Sequence, residues 1–254
     1  MSGRDGLARA LVDLQDLAEQ LRRECPWDRE QTAMTIVPHT VEEAYEVADA
    51  AGTGDKAKLL DELGDLLFQT FFLALLLEER GAGDLAQVAR GIHEKLVRRH
   101  PHVFSSSGEL RSPEEVKHLW EQIKTEQEGR EGVFHHIPET FPALLLAQKV
   151  QRRAATVGFD YPDLARAFAD LEGEIDELRA EPSADELGDV LFASVNVARH
   201  LHIDPELALR QASERFVARV ERAAALAAAE GQEFANLPLE EQDRWFDRAK
   251  AEPR

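Results

Sequence analysis

Cysteine is nearly absent from this sequence. Cys25 is the only one among 254 residues, so no intrachain disulfide can form. Such scarcity is typical of reducing compartments. The first 24 residues carry charges throughout and lack the apolar core of a signal peptide. The longest apolar run, Leu66 to Leu77, is interrupted by Gln69 and Thr70 and is too short to span a bilayer. We therefore expect a soluble, cytoplasmic protein with no membrane partner.

Basic residues are also scarce. Lys and Arg number 30 against 49 Asp and Glu, which gives a formal net charge of −19. A protein that binds a nucleic acid polymer needs a basic face for the phosphate backbone, so we expect no such partner. A single nucleotide remains possible as a ligand if metal ions bridge it to the acidic protein.

Several catalytic motifs are missing. The sequence has no Walker A loop, no GxSxG and no GxGxxG. Its nine histidines form no HxxxH pattern and a single ExxH, from Glu115 to His118, whereas carboxylate-bridged di-iron bundles use an ExxH pair on each of two helices. A di-iron oxidoreductase is therefore the weaker alternative, and phosphate chemistry in this chain would have to depend on a metal ion.

Helical spacing of apolar residues dominates what is present, and no stretch shows the alternation of a β-strand. Trp27-Asp28 is echoed by Phe159-Asp160, and the order of helices and turns begins again after a polar stretch that contains glycine. We predict an all-α fold of two tandem helical-bundle repeats. The predicted domains are 1–127 and 140–254, with a linker at 128–139.

Two pairs of carboxylates give the strongest functional signal in the first repeat. Glu43 and Glu46 lie three residues apart, as do Glu62 and Asp65, so each pair shares one face of a helix. Gly54 lies between the pairs and indicates a turn, so two antiparallel helices would bring all four together. Because clustered anions repel one another, such a group is reasonable only around a cation. We therefore predict a metal site.

An alternative is open, since glutamates on helices are usually solvated. Thr40 and Glu43 also fit a capping box, with a helix that begins near Thr40. Two features favour the metal site. The apolar run after Asp65 predicts a helix buried on every side, where an unpaired carboxylate is costly. Gly64 and Gly188 are unfavourable inside helices and predict that another group approaches closely.

The whole pattern occurs a second time, with carboxylates at Glu174, Glu177, Glu186 and Asp189. The two pairs are separated by 15 residues in the first repeat and by eight in the second. Gly173 stands in the place of Glu42, and Pro182 in the place of Lys58. Because the first repeat keeps Glu42 and Lys58 and has the longer connection, we expect it to carry at least as much activity as the second.

Cations and tryptophans are candidates for contacts with a substrate. Cations near helix ends could donate hydrogen bonds to a polyphosphate that is bound beside a metal ion. They could also simply stabilise the helix through its macrodipole. The candidates are Lys95, Arg99, Arg215 and Arg219. Three tryptophans could stack on a base, although such side chains are more often part of a core; they are Trp27, Trp120 and Trp245.

Together these motifs resemble the MazG family. The similar stretches are Cys25 to Thr32, Glu42 to Glu46, Glu62 to Asp65, Lys95 to Phe104, Ala147 to Lys149, Val157 to Asp160 and Glu186 to Phe192. MazG proteins are all-α nucleoside triphosphate pyrophosphohydrolases. The resemblance covers nearly the whole chain and implies hydrolysis of NTPs and dNTPs to a monophosphate and pyrophosphate. It implies Mg²⁺ as the cofactor, with Mn²⁺ as a substitute, and a homodimer.

The resemblance also implies roles for single residues. Metal ligands are implied at Glu43, Glu46, Glu62, Asp65, Glu174, Glu177, Glu186 and Asp189. Phosphate-binding cations are implied at Lys58, Lys95, Arg99, Arg215 and Arg219. Pro182 departs from the lysine of the family, which weakens the phosphate grip expected of the second site.

The expected mechanism is attack of an activated water on the α-phosphorus, with pyrophosphate as the leaving group. Glu43 or Glu46, and Glu174 or Glu177, would accept the proton of that water. A non-catalytic regulatory or assembly module with decayed metal sites is the other alternative. Both carboxylate sets are complete, which argues against it. The apolar run from Leu66 to Leu77 exceeds what one helical hairpin can cover, so a homo-oligomer is expected.

Overall fold

Two compact units make up the chain, Met1–Ile123 and Lys124–Arg254. The computed structural model describes residues 3–104, 132–135 and 137–251. Within these ranges every regular element is a helix and no strand occurs, which confirms the all-α class. In the same ranges, no helix is both long enough and apolar enough to cross a membrane. The bounds expected for two domains and a linker stay predictions.

Helices of the first unit pack around one long antiparallel hairpin. They are α1 (Gly3–Glu24), α2 (Pro26–Glu30), α3 (Ala33–Thr53), α4 (Lys56–Glu78), α5 (Leu85–Arg99) and α6 (Pro101–Phe104). The hairpin is formed by α3 and α4, and both α1 and α5 pack against α4. Ile36 on α3 and Phe72 and Leu76 on α4 form a buried cluster at the open end of the hairpin. Apolar packing at the open end therefore stabilises the hairpin, and the acidic residues lie nearer to its closed end.

The start of α3 differs from the prediction. The helix begins at Ala33, not near Thr40, and its N-cap is Thr32 in a reciprocal capping box with Thr35. The Thr40 hydroxyl donates to the carbonyl of Ile36, so the alternative of a capping box between Thr40 and Glu43 is wrong. Pro38 lies inside the helix near its start, where its missing N–H costs one intrahelical hydrogen bond and does not end the helix.

Burial of α4 is one-sided. Phe71, Phe72 and Leu76 are buried, but within the same apolar run Leu67 is 40% exposed and Leu77 is 42% exposed. The expectation of a helix buried on every side is therefore wrong for the chain by itself. A Cβ added at Gly64 or at its counterpart in the second unit, Gly188, would meet no atom within 4 Å among the described residues. No described part of the chain therefore makes the close approach expected at these glycines.

The second unit is built on a shorter hairpin. Its helices are α7 (Ala143–Ala155), α8 (Leu164–Ala180), α9 (Ala184–His200), α10 (Pro205–Ala229) and α11 (Leu239–Ala251), with a 3₁₀ turn at Phe234–Asn236. The hairpin is formed by α8 and α9, while α7 packs against α9 and α10. The last helix, α11, folds back on α10 around Ala223, Ala227 and Trp245. In both units, neighbouring helices therefore pack against the second helix of a two-helix hairpin.

Candidate metal centre

A tight turn positions the first group of carboxylates. Gly54 ends α3 in the left-handed region, with φ of 75°, which glycine adopts without strain. Asp55 caps α4: its Oδ1 accepts hydrogen bonds from the backbone N–H groups of Ala57 and Lys58 at 3.0 and 3.1 Å. The turn sets α3 and α4 antiparallel, so that the acidic faces of the two helices meet.

Three of the four predicted carboxylates converge in the first unit. One oxygen each from Glu43, Glu62 and Asp65 lies within 4.8 Å of the other two. Glu62 is nearly buried, with 9% exposure, while Glu43 is half-buried and Asp65 is exposed. An all-oxygen group that is open on one side suits a hard divalent cation, which keeps some of its waters. We call these three residues the first cluster.

Electrostatics at the first cluster are unfavourable without a cation. Burial, followed by the charges of Asp65 and Glu46, raises the pKa of the Glu43 carboxyl above its usual range. Burial and the neighbouring Glu46 carboxylate raise the pKa of Glu62, which Lys58 partly offsets. The Oε2 atom of Glu43 is buried and has no hydrogen-bond partner among the described residues. A buried anionic oxygen is costly unless something positive contacts it, so a metal ion fits here.

Glu46 is close to the first cluster but outside it. Its side chain is exposed, and its charge acts on both Glu43 and Glu62. The structure therefore brings the predicted quartet together as three converging oxygens with a fourth carboxylate beside them. The role of each as a ligand stays a prediction.

The second unit repeats this arrangement. One oxygen each from Glu174, Glu186 and Asp189 lies within 4.8 Å of the other two, and we call these residues the second cluster. Burial and the charge of Glu177 raise the pKa of both Glu174 and Glu186. The Oε2 atom of Glu186 is buried with no hydrogen-bond partner in the described part of the chain. Ser183 caps α9 and accepts from the N–H of Glu186, which fixes the start of the helix at this residue.

Histidine is absent from both clusters. In the part of the chain that the structure describes, the groups of three or more potential metal ligands are these two, and both consist of carboxylates. The di-iron alternative requires histidine ligands beside the glutamates, so the composition of the clusters disfavours it.

Asp49 is a residue near the first cluster that the sequence analysis did not single out. Its Oδ2 accepts a hydrogen bond from the Lys58 ammonium at 2.7 Å, and this partner raises the pKa of Lys58. Asp49 follows Glu46 by three residues, so the spacing that identified Glu43 and Glu46 could have been extended by one step.

The other predicted cations lie on neighbouring helices. Lys95 is exposed and Arg99 half-buried in the last turns of α5, which packs against α4. Arg215 and Arg219 are half-buried on α10, which packs against α9. In each unit these cations therefore lie on a helix adjacent to the one that carries two cluster carboxylates, and their role in binding phosphate stays a prediction.

Two of the three tryptophans can be placed. Trp245 is 7% exposed; its indole N–H donates to Gln232 at 3.0 Å, and the Arg248 guanidinium lies 4.2 Å from its ring centre. This is the environment of a core residue, so we leave Trp245 out of the proposed site. Trp27 is 54% exposed and packs edge-on against His39. Trp120 lies outside the described residues.

An arginine in each unit anchors the turn that contains the aromatic-Asp pair. Arg22 donates to both carboxylate oxygens of Glu79, at 2.7 and 2.9 Å, and also to the carbonyl of Asp28. Arg199 pairs with both oxygens of Asp160. These ion pairs tie the turn after the first helix to the far end of α4 and of α9, and sequence spacing gave no signal for them.

Comparison with known proteins gives a consistent family. Residues 31–104 match the model of the MazG nucleotide pyrophosphohydrolase domain. A nucleoside triphosphate pyrophosphohydrolase of Escherichia coli K12 is 43% identical over 238 residues, which cover 89% of this chain and 90% of that protein. The chain belongs to the MazG family. The resemblance read from the motifs is thereby confirmed, and the family match includes the whole of the first cluster.

A further MazG relative covers nearly the whole chain. The nucleoside triphosphate pyrophosphohydrolase/pyrophosphatase MazG of Thermotoga maritima is 37% identical over 246 residues, 94% of each chain. A crystal structure of a mazG-related protein from the same organism has 29% identity and a TM-score of 0.40, and covers 44% of this chain and 97% of that one.

Proposed function

We propose that this MazG protein is a nucleoside triphosphate pyrophosphohydrolase, which cleaves NTPs and dNTPs into a monophosphate and pyrophosphate in the cytoplasm. Membership of the family supports the reaction class. The observation that carries the proposal to this chain is the buried Oε2 of Glu43, which has no hydrogen-bond partner among the described residues and lies within three converging carboxylates; Glu186 repeats it. Such a group has a clear use as a metal site and none as a structural core.

Mg²⁺ is the proposed cofactor, with Mn²⁺ as a substitute. The residues that would hold it are the three of the first cluster with Glu46, and the three of the second cluster with Glu177. A bound divalent cation supplies activation of water and neutralisation of phosphate charge. Oxygen ligands and an open side agree with the preference of Mg²⁺ for a few carboxylates and several waters.

Glu46 and Glu177 are the proposed proton acceptors. Each lies beside a cluster without belonging to its three converging oxygens, and each is exposed. Each carboxylate would border the metal ion and take the proton of a water that attacks the α-phosphorus. Lys58, Lys95 and Arg99 in the first unit would bind the phosphates and the leaving pyrophosphate. Arg215 and Arg219 would do so in the second.

A homodimer is the proposed assembly. Exposed leucines lie on both hairpins next to the acidic residues, with Leu60, Leu63 and Leu67 on α4 and Leu187 and Leu191 on α9. A second copy is the partner that would cover them. Light scattering should give about twice the monomer mass of 28.5 kDa. A monomer across the working concentration range would contradict the dimer and leave the reaction proposal intact.

The decisive experiment identifies the products. A panel of NTPs and dNTPs with Mg²⁺ should yield pyrophosphate and the monophosphate in equal amounts, with no diphosphate intermediate. Excess EDTA should abolish the reaction. Stepwise release of orthophosphate, or undiminished activity in EDTA, would refute the proposed function.

A further inference from the structure

An ion pair lies next to the first cluster, towards the closed end of the hairpin. The Lys58 Nζ and Asp49 Oδ2 atoms are 2.7 Å apart. Asp49 follows Glu46 by three residues, and Lys58 precedes Glu62 by four, so both side chains lie on the helix faces that carry the carboxylates. The ion pair and the cluster are therefore neighbouring layers of one interface between α3 and α4.

Lys58 is a potential competitor for the cluster. Its ammonium is close enough to Glu46 and Glu62 for their charges to act on it, and its side chain is 43% exposed. An ammonium on a flexible four-carbon chain has three donors and can bind carboxylates itself. If it did so here, it would neutralise the carboxylates that a divalent cation needs, and the cation would have to displace it.

Asp49 offers this ammonium a different partner. We propose that Asp49 is a positioning residue of the first site, which holds the Lys58 ammonium about one helical turn away from the cluster. The carboxylates then stay open to a divalent cation, while the ammonium stays at the rim for an incoming phosphate. The inference rests on the proposed function of the cluster as a metal site.

The second hairpin lacks both partners. Ala180 occupies the place of Asp49, three residues after Glu177, and Pro182 occupies the place of Lys58. A hairpin without the lysine has no ammonium to hold, and it also lacks the aspartate that would hold it. The first hairpin has both the lysine and the aspartate, and the second has neither. This is the pattern expected if Asp49 serves to hold Lys58.

Mn²⁺ binding to the full-length chain tests the inference without use of enzymatic activity. Glu186→Gln and Asp189→Asn first silence the second cluster, and free Mn²⁺ is then followed by electron paramagnetic resonance. Asp49→Asn should weaken Mn²⁺ binding about tenfold when Lys58 is present, because the released ammonium moves onto the carboxylates. With Lys58→Met added, Asp49→Asn should change binding no more than about threefold, the effect of one distant charge in water.

Two control variants make the comparison specific. Asp61→Asn removes the same charge from the same hairpin, but Lys58 bonds to Asp49 and not to Asp61. It should therefore give the same small change with or without Lys58→Met. Asp49→Glu restores the carboxylate and should recover most of the affinity, which a fold defect would not allow.

Two results would overturn the inference in different ways. An equal effect of Asp49→Asn with and without Lys58→Met would reduce Asp49 to a distant charge and leave the metal site standing. Absence of Mn²⁺ binding in the starting variant would overturn the metal site itself, and the inference with it.

Discussion

Neutralising one cluster at a time should distinguish a metal site from a chance group of surface acids. The first-cluster variant carries Glu62→Gln and Asp65→Asn, and the second-cluster variant carries Glu186→Gln and Asp189→Asn. Each removes two of the three charges that meet within 4.8 Å and keeps the size of the side chains. In EDTA each variant should be at least as stable as the parent, because the change relieves repulsion between anions.

With Mg²⁺ bound, the parent should become more stable than either cluster variant. A cation at about 100 times its Kd adds about 2.7 kcal/mol to the free energy of unfolding for each occupied site. For a chain of about this length, each kcal/mol raises the Tm by roughly 2–4 °C. One site is therefore worth about 5–11 °C, and each variant should lose that much of the shift that Mg²⁺ gives the parent. If the two units unfold separately, the loss should be confined to the unit that was changed.

Differential scanning calorimetry in EDTA and in Mg²⁺ provides the measurement. A matched control carries Asp61→Asn and Asp185→Asn, which remove acids adjacent to the clusters but outside them. This control should keep most of the Mg²⁺ shift, because it removes only neighbouring charges that act on Glu62 and Glu186. Variants that retain the shift of the parent, or that are less stable than the parent in EDTA, would refute the reasoning. Pyrophosphate release by the same proteins tests the expectation that the first unit is at least as active as the second, which fails if only the second-cluster variant is inactive.

Three further predictions follow from single contacts. Burial and neighbouring carboxylates raise the pKa of Glu43 and Glu174 in the folded state. Each group therefore lowers the free energy of unfolding as the pH rises and its carboxyl loses the proton. The metal-free protein should thus gain stability from neutral pH down to about pH 5, and Glu43→Gln with Glu174→Gln should lessen that gain in a thermal melt. Arg22→Met should cost about 2 kcal/mol in chemical denaturation, because it leaves a carboxylate and backbone carbonyls unpaired; the exposed Arg9→Met should cost less than about 0.5 kcal/mol. Trp245→Phe should lower the Tm and leave KM unchanged if the indole is core, whereas a raised KM at unchanged Tm would restore it to the site.

Local sequence spacing was sufficient to predict the group of carboxylates at the centre of the site. Residues three apart on a helix face the same way, and the turn at Gly54 can only bring the two faces together, so Glu43, Glu62 and Asp65 could be grouped from the sequence. The start of α3 could not be predicted in this way. A proline usually ends a helical pattern, but Pro38 lies early in α3 and costs only one hydrogen bond.

Long-range contacts left no periodic trace. Arg22 reaches Glu79 across 57 positions, and no spacing rule connects residues so far apart. The burial predicted for α4 was also wrong, because an apolar sequence does not show whether its own chain or a second copy covers the helix. Leu67 and Leu77 belong to the apolar run from Leu66 to Leu77 and are exposed in the structure. Asp49 was missed for a different reason: an isolated aspartate is usually a solvated side chain, and only its bond to Lys58 gives it a role.

The unequal connections of the two hairpins explain why the clusters match. α3 continues for seven residues past Glu46, and α4 begins six residues before Glu62. In the second unit, α8 continues for three residues past Glu177, and α9 begins two before Glu186. Between its acidic residues and the turn, each helix of the first hairpin is thus four residues longer, which is about one turn of 3.6 residues. An added turn on both sides lengthens the hairpin without rotating either acidic face, so the longer connection does not open the site. The added turn instead provides space between the cluster and the end of the hairpin, and the Asp49–Lys58 ion pair occupies that space.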